Sequence, residues 1–506
     1  MPFYRVYVGY GISDAACARI LANGIPPEIY STPVRVLNFY RAGYDQTVFE
    51  IDAGDDAIAK AWTAALNDAI SEVIEYTPVT PENPDPPPSS SNVWARVGTW
   101  TKTAGVSTTV ISSLPGQPKG LILWGSALEG ATFGTNSNAG AVGIGISDGT
   151  TNRFMGYGVQ DNTSPINAGR ICSRSALQIM DPTGTTLGTF AMDNGSATFG
   201  ATSFTLTWSA TTRATQGFYY VFGGDDIEFV KVQDFVTETT STGTHEYTGF
   251  GRKYDFGMFF INFTTGAAGP DFWPNGYNAG ALCSVSVHAT QTNEKQWVSN
   301  IKQADNVATT NAQRTQQTDR MLSSFANGTF STMQQVARWN GWTNDGFVLD
   351  WILAPTGATR AMTGLFVKGG KWDCGSFIQP VSTGTIDVLL APADSLPQGI
   401  MAFSVNNIVY EPGFTNTPAR WTVGAQDVNG NKGCLSYDGL HGVSTSDELT
   451  VMNNNTFMKY ITWATPTVTT NANCSISDMA SAGQFTVNFS TADSTPRQTV
   501  WFSLST

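Results

Sequence analysis

The sequence predicts a mainly β protein: a small N-terminal α+β domain (β-α-β-β-α), a proline-rich linker, and three tandem β-sandwich or jelly-roll domains. Three observations predict this. Charged residues make up only 13% of the 506 residues while aromatics reach 12% and glycine numbers 51. That composition suits many short strands and turns rather than helical bundles. Residues 77–91 hold six prolines and end in three serines. Beyond them, several sequence blocks recur at a nearly constant interval, as tandem copies of one domain do.

In the N-terminal domain, set at residues 1–76, residues 3–10 alternate and are aromatic and β-branched, which reads as a strand. Ser13 is placed as an N-cap for a helix through Ala16, Cys17, Ile20 and Leu21, stopped by Asn23-Gly24 and Pro26-Pro27. Strands follow at 34–40 and 47–52. Asp55-Asp56 then start a second helix whose apolar face carries Ile58, Ala61, Trp62, Ala65, Leu66, Ala69, Ile70 and Val73. A sheet with helices on one face is a ferredoxin-like arrangement. Gly9-Tyr10-Gly11 lacks the third glycine of a dinucleotide fingerprint. On fold-level grounds the domain reads as a docking module. The linker, set at 77–92, excludes helix and central strand and is expected to be extended.

The repeats carry the most information. Ser203–Trp208 with Gly217–Gly224, Gly346–Trp351 with Leu365–Gly370, and Gln484–Phe489 with Val500–Ser503 share one pattern. The step from Phe204 to Phe347 nearly equals the step from Phe347 to Phe485. An earlier block, 118–124, recurs at 255–261 and 397–403, and a third, 142–148, at 282–288 and 421–427. Two-sheet sandwiches are therefore expected at 93–235, 236–380 and 381–506, each with its own core. Phe204, Phe347 and Phe485 are expected to occupy equivalent buried positions.

No catalytic, cofactor-binding or metal-ligating residue emerges, and the chain is expected to be no enzyme. Cys17, Cys172, Cys283, Cys374, Cys434 and Cys474 form no CxxC pair and read as buried apolar residues, disulfides being the minor reading. His245, His288 and His441 do not recur at equivalent positions, lack metal spacing, and read as surface or turn residues. Gly223-Gly224-Asp225-Asp226 reads as a turn. Asp427–Gly433 begins like a calcium loop, but Lys432 stands where glycine is needed. The cluster Trp339, Trp342 and Phe347 reads as core rather than a sugar-stacking surface. A net charge of −13 disfavours nucleic acid and anionic membranes. No stretch of about 18 apolar residues is present, so membrane insertion is not expected. The N-terminus, Met1–Arg5, does not read as a signal peptide, so synthesis in a cytoplasm is expected.

The blocks Pro118–Ser126, Ile146–Asn152, Phe204–Trp208 and Phe222–Gly224 resemble the tandem β-domains of virion proteins from tailed bacteriophages. The likeness is good over the first copy, partial over the second and weak over the third, and it leaves out residues 1–90. It implies a building block without active residues, placed on the virion surface. The N-terminal domain would bind other virion proteins. The sandwiches would project as a tail fibre or receptor-binding appendage, homo-oligomeric and able to meet host cell-surface glycan. Capsid decoration or a head fibre is the alternative, and a carbohydrate-binding module or depolymerase is a further one.

Overall fold

The computed structural model describes residues 3–8, 35–41, 47–52, 58, 61, 62 and 77–79 of a first compact unit, residues 1–90. Of residues 93–506 it describes all but 138, 185–190, 238–240, 266–275, 280, 290–294, 326–332, 355–359, 407–417 and 465–466. At 262–265, 276–279, 281–284, 324–325, 333–334, 360 and 464 it describes the backbone. The second compact unit is residues 91–506.

In the first unit, β1 (Phe3–Val8), β2 (Arg35–Arg41), β3 (Thr47–Asp52) and β4 (Thr77–Val79) form one antiparallel sheet in the order β2-β3-β1-β4. The α+β character expected from sequence is not supported. The helix expected from Ser13 lies outside the described residues. Of the second, only Ile58, Ala61 and Trp62 are described; Trp62 is buried but Ala61 is exposed. The expected linker begins with a strand, because β4 is an edge strand and its Pro78 therefore leaves no interior ladder bond unmade.

In the second unit the strands fall into three sets. The first holds β5 (Val93–Lys102), β6 (Thr108–Ile111), β7 (Pro118–Gly125), β8 (Asn136–Ser137), β9 (Gly140–Ser147), β10 (Asn152–Val159), β11 (Ala168–Ser173), β12 (Leu177–Met180), β13 (Ala191–Phe199), β14 (Phe204–Trp208) and β15 (Thr215–Gly224). The second holds β16 (Ile227–Val236), β17 (Gly243–Tyr247), β18 (Phe256–Thr265), β19 (Gly276–Ala279), β20 (Ala281–Ala289), β21 (Lys295–Gln303), β22 (Ala312–Gln317), β23 (Leu322–Phe325), β24 (Met333–Thr343), β25 (Gly346–Leu353) and β26 (Arg360–Gly369). The third holds β27 (Lys371–Ile378), β28 (Gly384–Leu389), β29 (Pro397–Ser404), β30 (Ala419–Asp427), β31 (Lys432–Gly439), β32 (Glu448–Asn453), β33 (Met458–Ala464), β34 (Thr467–Asp478), β35 (Gln484–Thr491) and β36 (Gln498–Ser505).

Each set makes a large and a small sheet. The large sheets run β19-β11-β10-β9-β7-β15-β5, β16-β26-β18-β20-β21-β22 and β27-β36-β29-β30-β31-β32-β8. The small ones run β12-β13-β14-β6, β17-β25-β24-β23 and β28-β35-β34-β33. Two details differ from expectation. The large sheets contain a meander of consecutive strands (β7-β9-β10-β11 in the first), which is not the pairing of a jelly roll. The boundaries expected at 235 and 380 fall inside or just after strands that belong to the following sandwich, because the first strand of each set pairs with its last: β16 with β26, β27 with β36. The repeated glycine pairs are the crossings between sandwiches. Gly224, Gly369 and Gly370 have φ of 116°, 87° and 75°, a region that favours glycine.

Phe204, Phe347 and Phe485 are all fully buried on β14, β25 and β35, facing the large sheets. Phe204 meets Tyr219 edge-on at 5.2 Å, and Phe485 meets Trp501 at 5.2 Å. Trp339 and Trp342 pack around Phe347 at 5.3 and 6.0 Å, as the core reading expects.

The sandwiches are not separate beads. One hydrophobic core runs through all three large sheets, while the second and third sandwiches keep further clusters beneath their small sheets. Phe256 of the second stacks on Trp372 of the third at 4.1 Å, and Tyr220 of the first meets Phe502 of the third at 5.9 Å. Trp297 donates its indole N–H to the Trp501 carbonyl at 2.9 Å, and Trp421 donates to Ser299 Oγ at 2.9 Å. Aromatic side chains bury large apolar area, so these contacts weld the sheets together. Strand exchange adds to this: β8 of the first set pairs with β32 of the third, and β19 of the second pairs with β11 of the first.

Candidate functional site at the junction of the three sandwiches

The connections after β10, β21 and β31 make the same turn three times. Asp161-Asn162, Asp305-Asn306 and His441-Gly442 occupy its corner, with φ of 54° at Asn162, 53° at Asn306 and 79° at Gly442. Asparagine and glycine are the residues that enter this left-handed region at least cost.

Each turn grips the next sandwich through the same three hydrogen bonds. Asn162 N–H donates to Ser446 O at 2.8 Å, Asn306 N–H to Ile166 O at 2.7 Å, and Gly442 N–H to Thr310 O at 2.9 Å. In return Ser446 N–H donates to Thr163 O at 3.1 Å, Ile166 N–H to Val307 O at 2.9 Å, and Thr310 N–H to Val443 O at 2.8 Å. The corner side chain accepts the third bond: Asp161 Oδ1 from Glu448 N–H at 2.9 Å, Asp305 Oδ1 from Ala168 N–H at 2.9 Å, His441 Nδ1 from Ala312 N–H at 3.0 Å. The first sandwich thus holds the third, the third holds the second, and the second holds the first. A head-to-tail contact that closes after three steps is a pseudo-threefold ring made within one chain.

Beside these turns lies a closed polar network drawn from all three sandwiches. Gln303 Nε2 donates to Glu448 Oε1 at 2.7 Å, and Tyr157 donates its hydroxyl to Gln303 Oε1 at 3.1 Å. The Tyr157 and Tyr437 hydroxyls are 2.8 Å apart, and Tyr437 reaches Glu448 Oε2. Burial pushes the Glu448 carboxyl well above its ordinary range. Tyr437 donates to Glu448 Oε2, Tyr157 to Gln303 Oε1, and Gln303 to Glu448 Oε1. Both hydroxyls and the amide then each have an acceptor, the condition for a stable buried network.

A second set of grips lies at the hairpins after β9 and β30. Asp148 Oδ1 accepts the Thr150 and Thr151 N–H groups, and its Oδ2 accepts Val232 N–H at 2.8 Å from the second sandwich. Asp427 does the same in the third: Oδ1 accepts from Asn429 and Asn431, and Oδ2 accepts Val97 N–H at 3.0 Å from the first. The loop that begins like a calcium site is therefore a turn clamp with its carboxylate occupied by donors. Where the second sandwich meets the third, Lys295 pairs with Asp373 at 2.9 Å instead.

Of the three histidines, His288 departs from the surface-or-turn reading. His288 is fully buried and stacked on Trp339 at 3.9 Å, and burial holds its pKa well below the ordinary value. His441 fills the position of Asp161 and Asp305, which a comparison of histidines with one another misses; the spacing Asp161, Asp305, His441 was the available signal. His245 lies on β17 near Ser241 Oγ at 3.2 Å. Cys172, Cys374, Cys434 and Cys474 are buried free thiols; burial raises all four, Cys434 to about 12. Cys17 and the Cys283 side chain lie outside the described residues. Gly223–Asp226 forms the turn between β15 and β16. Among the described residues no group of three or more His, Cys, Asp or Glu is placed to hold a metal, and no helix is long and apolar enough to cross a membrane.

No family model matches this chain, and no curated protein matches it.

Proposed function

We propose that the chain is a structural virion protein of a tailed phage. The three joined sandwiches form a rigid head, exposed as a fibre tip or receptor-binding appendage, and the N-terminal unit attaches it to the particle through the proline-rich segment. The observation that carries this reading is the ring of turn hydrogen bonds at the junction. A ring closed within one chain keeps its shape at any dilution, which suits a part that must hold its geometry outside a cell. The threefold contact set is complete in one chain, so oligomerisation is not needed to close it. Host glycan and other virion proteins are the partners this reading implies. Gold-labelled antibody against the second unit, applied to assembled particles in electron microscopy, tests it. Label on tail or baseplate supports the appendage. Label over the head lattice supports capsid decoration instead, and no label on particles defeats both.

A further inference from the structure

We infer that the cleft between the first and second sandwiches binds an acidic saccharide. The inference extends the receptor-binding half of the reading above. The cleft, about 480 Å³, is lined by the hairpin of residues 150–153, by Arg174 after β11, and by residues 231–234 of β16. That volume lies within the range of small-ligand sites, roughly 300–1,000 Å³.

The chain carries a net charge of −13, yet this lining holds three cations, Arg153, Arg174 and Lys231, against one carboxylate, Asp234. Arg153 builds the floor: its Nε and Nη2 meet the Asp234 carboxylate at 2.8 and 2.5 Å, and the pair is nearly buried. Arg174, exposed, and Lys231, half-buried, lie at the opening. Burial and the nearby Arg252 lower the Lys231 pKa, while Asp345 and Asp148 act against that lowering.

The remaining lining is hydrogen-bonding rather than apolar. Thr150 and Thr151 present hydroxyls, and Gln233 Oε1 has no partner while its Nε2 donates to Gly249 O at 3.2 Å. Hydroxyl and amide groups beside two cations match a polyhydroxylated ligand bearing a carboxylate or sulfate. Nucleic acid is disfavoured, since the lining has no aromatic side chain for bases to stack on.

The corresponding groove between the second and third sandwiches has diverged. It is lined mainly by Phe377, Ile378, Ile386, Val388 and Leu389 with Lys295 and Asp387.

The test is calorimetric titration of the full chain with tetragalacturonate and a heparin-derived tetrasaccharide, with maltotetraose, inorganic phosphate and a single-stranded DNA oligonucleotide alongside. At least one acidic tetrasaccharide should bind, and binding should weaken at high salt. Lys231→Gln and Arg174→Gln should each weaken it about tenfold or more, the scale of one charge-assisted hydrogen bond, without lowering Tm. Absence of binding by both acidic probes overturns the inference. So does binding unchanged in the two variants, equal binding of maltotetraose or phosphate, or tighter binding of the oligonucleotide. None of these outcomes bears on the particle-labelling result, so the two readings fail separately.

Discussion

His441 Nδ1 accepts the Ala312 backbone N–H at 3.0 Å, filling the place that a carboxylate fills in the other two turns. The bond requires a neutral ring nitrogen. Burial lowers the His441 pKa below 6.5. The unfolded chain therefore binds this proton more readily than the folded one. The stabilisation is complete above about pH 6.5 and is lost as pH falls through the folded value. His288 adds to the same slope. His441→Asp should restore the repeated turn and flatten the fall in Tm between about pH 7.5 and 5, leaving the part that His288 causes.

Glu448 predicts the opposite sign. Its raised pKa means the folded state keeps a proton that the unfolded chain releases above about 4.5. Its contribution is complete below that value and declines as pH rises toward the folded pKa. Glu448→Gln keeps a neutral side chain that can both donate and accept and should cost under about 1 kcal/mol near neutrality, while removing this decline. Tyr157→Phe leaves a buried acceptor without its donor and should cost about 1–3 kcal/mol in urea unfolding.

Lys102 and Asp193 form an ion pair at 3.0 Å with both side chains fully buried. Lys102→Ala strands the carboxylate and should destabilise by about 3–5 kcal/mol. The double variant Lys102→Met with Asp193→Asn should recover much of that loss. Losses that simply add in the double variant would show that the pair is not coupled.

Phe485 lies fully buried beneath the third small sheet. Phe485→Ala should cost about 3–5 kcal/mol. Because the large sheets share one core, the second unit should melt as one cooperative transition, and this variant should shift all of it. A calorimetric trace in which only a third of the enthalpy moves would mean that the sandwiches unfold independently.

Close approach at a glycine gives a further test. A Cβ on Gly433 of the third sandwich would stand well inside contact distance of the Phe218 ring of the first. Gly433→Ala should lower Tm by several degrees through overpacking at the junction, an effect of about 1–3 kcal/mol. An unchanged Tm would mean that Phe218 yields freely and the junction is looser than described.

Much of the strand content was legible in the chain itself. Alternation at Phe204, Leu206 and Trp208, and its recurrence at Phe347 and Phe485, reports a local property: side chains on a strand face alternate sides, so a buried face is written with period two. Repetition at a nearly constant interval likewise marks three related units. Nothing local separates one copy from the next, because β16 and β27 each follow the preceding last strand after only a short turn, while their partners, β26 and β36, stand at the far end of the sandwich they open.

What the sequence by itself determined is the β composition, the three-fold repetition and the buried phenylalanines, all consequences of local pattern and side-chain polarity. Tertiary structure alone decided that the repeats close on one another. Asp161, Asp305 and His441 stand about one repeat apart, and the first two share their type but His441 does not, so residue type alone does not mark all three as equivalent. Their common role appears only when each turn meets the next sandwich. The same holds for Glu448, whose carboxyl is pushed up by burial at the junction while hydrogen bonds from Tyr437 and Gln303 act against that rise. A carboxyl's charge depends on what surrounds it, and here folding alone supplies the surroundings.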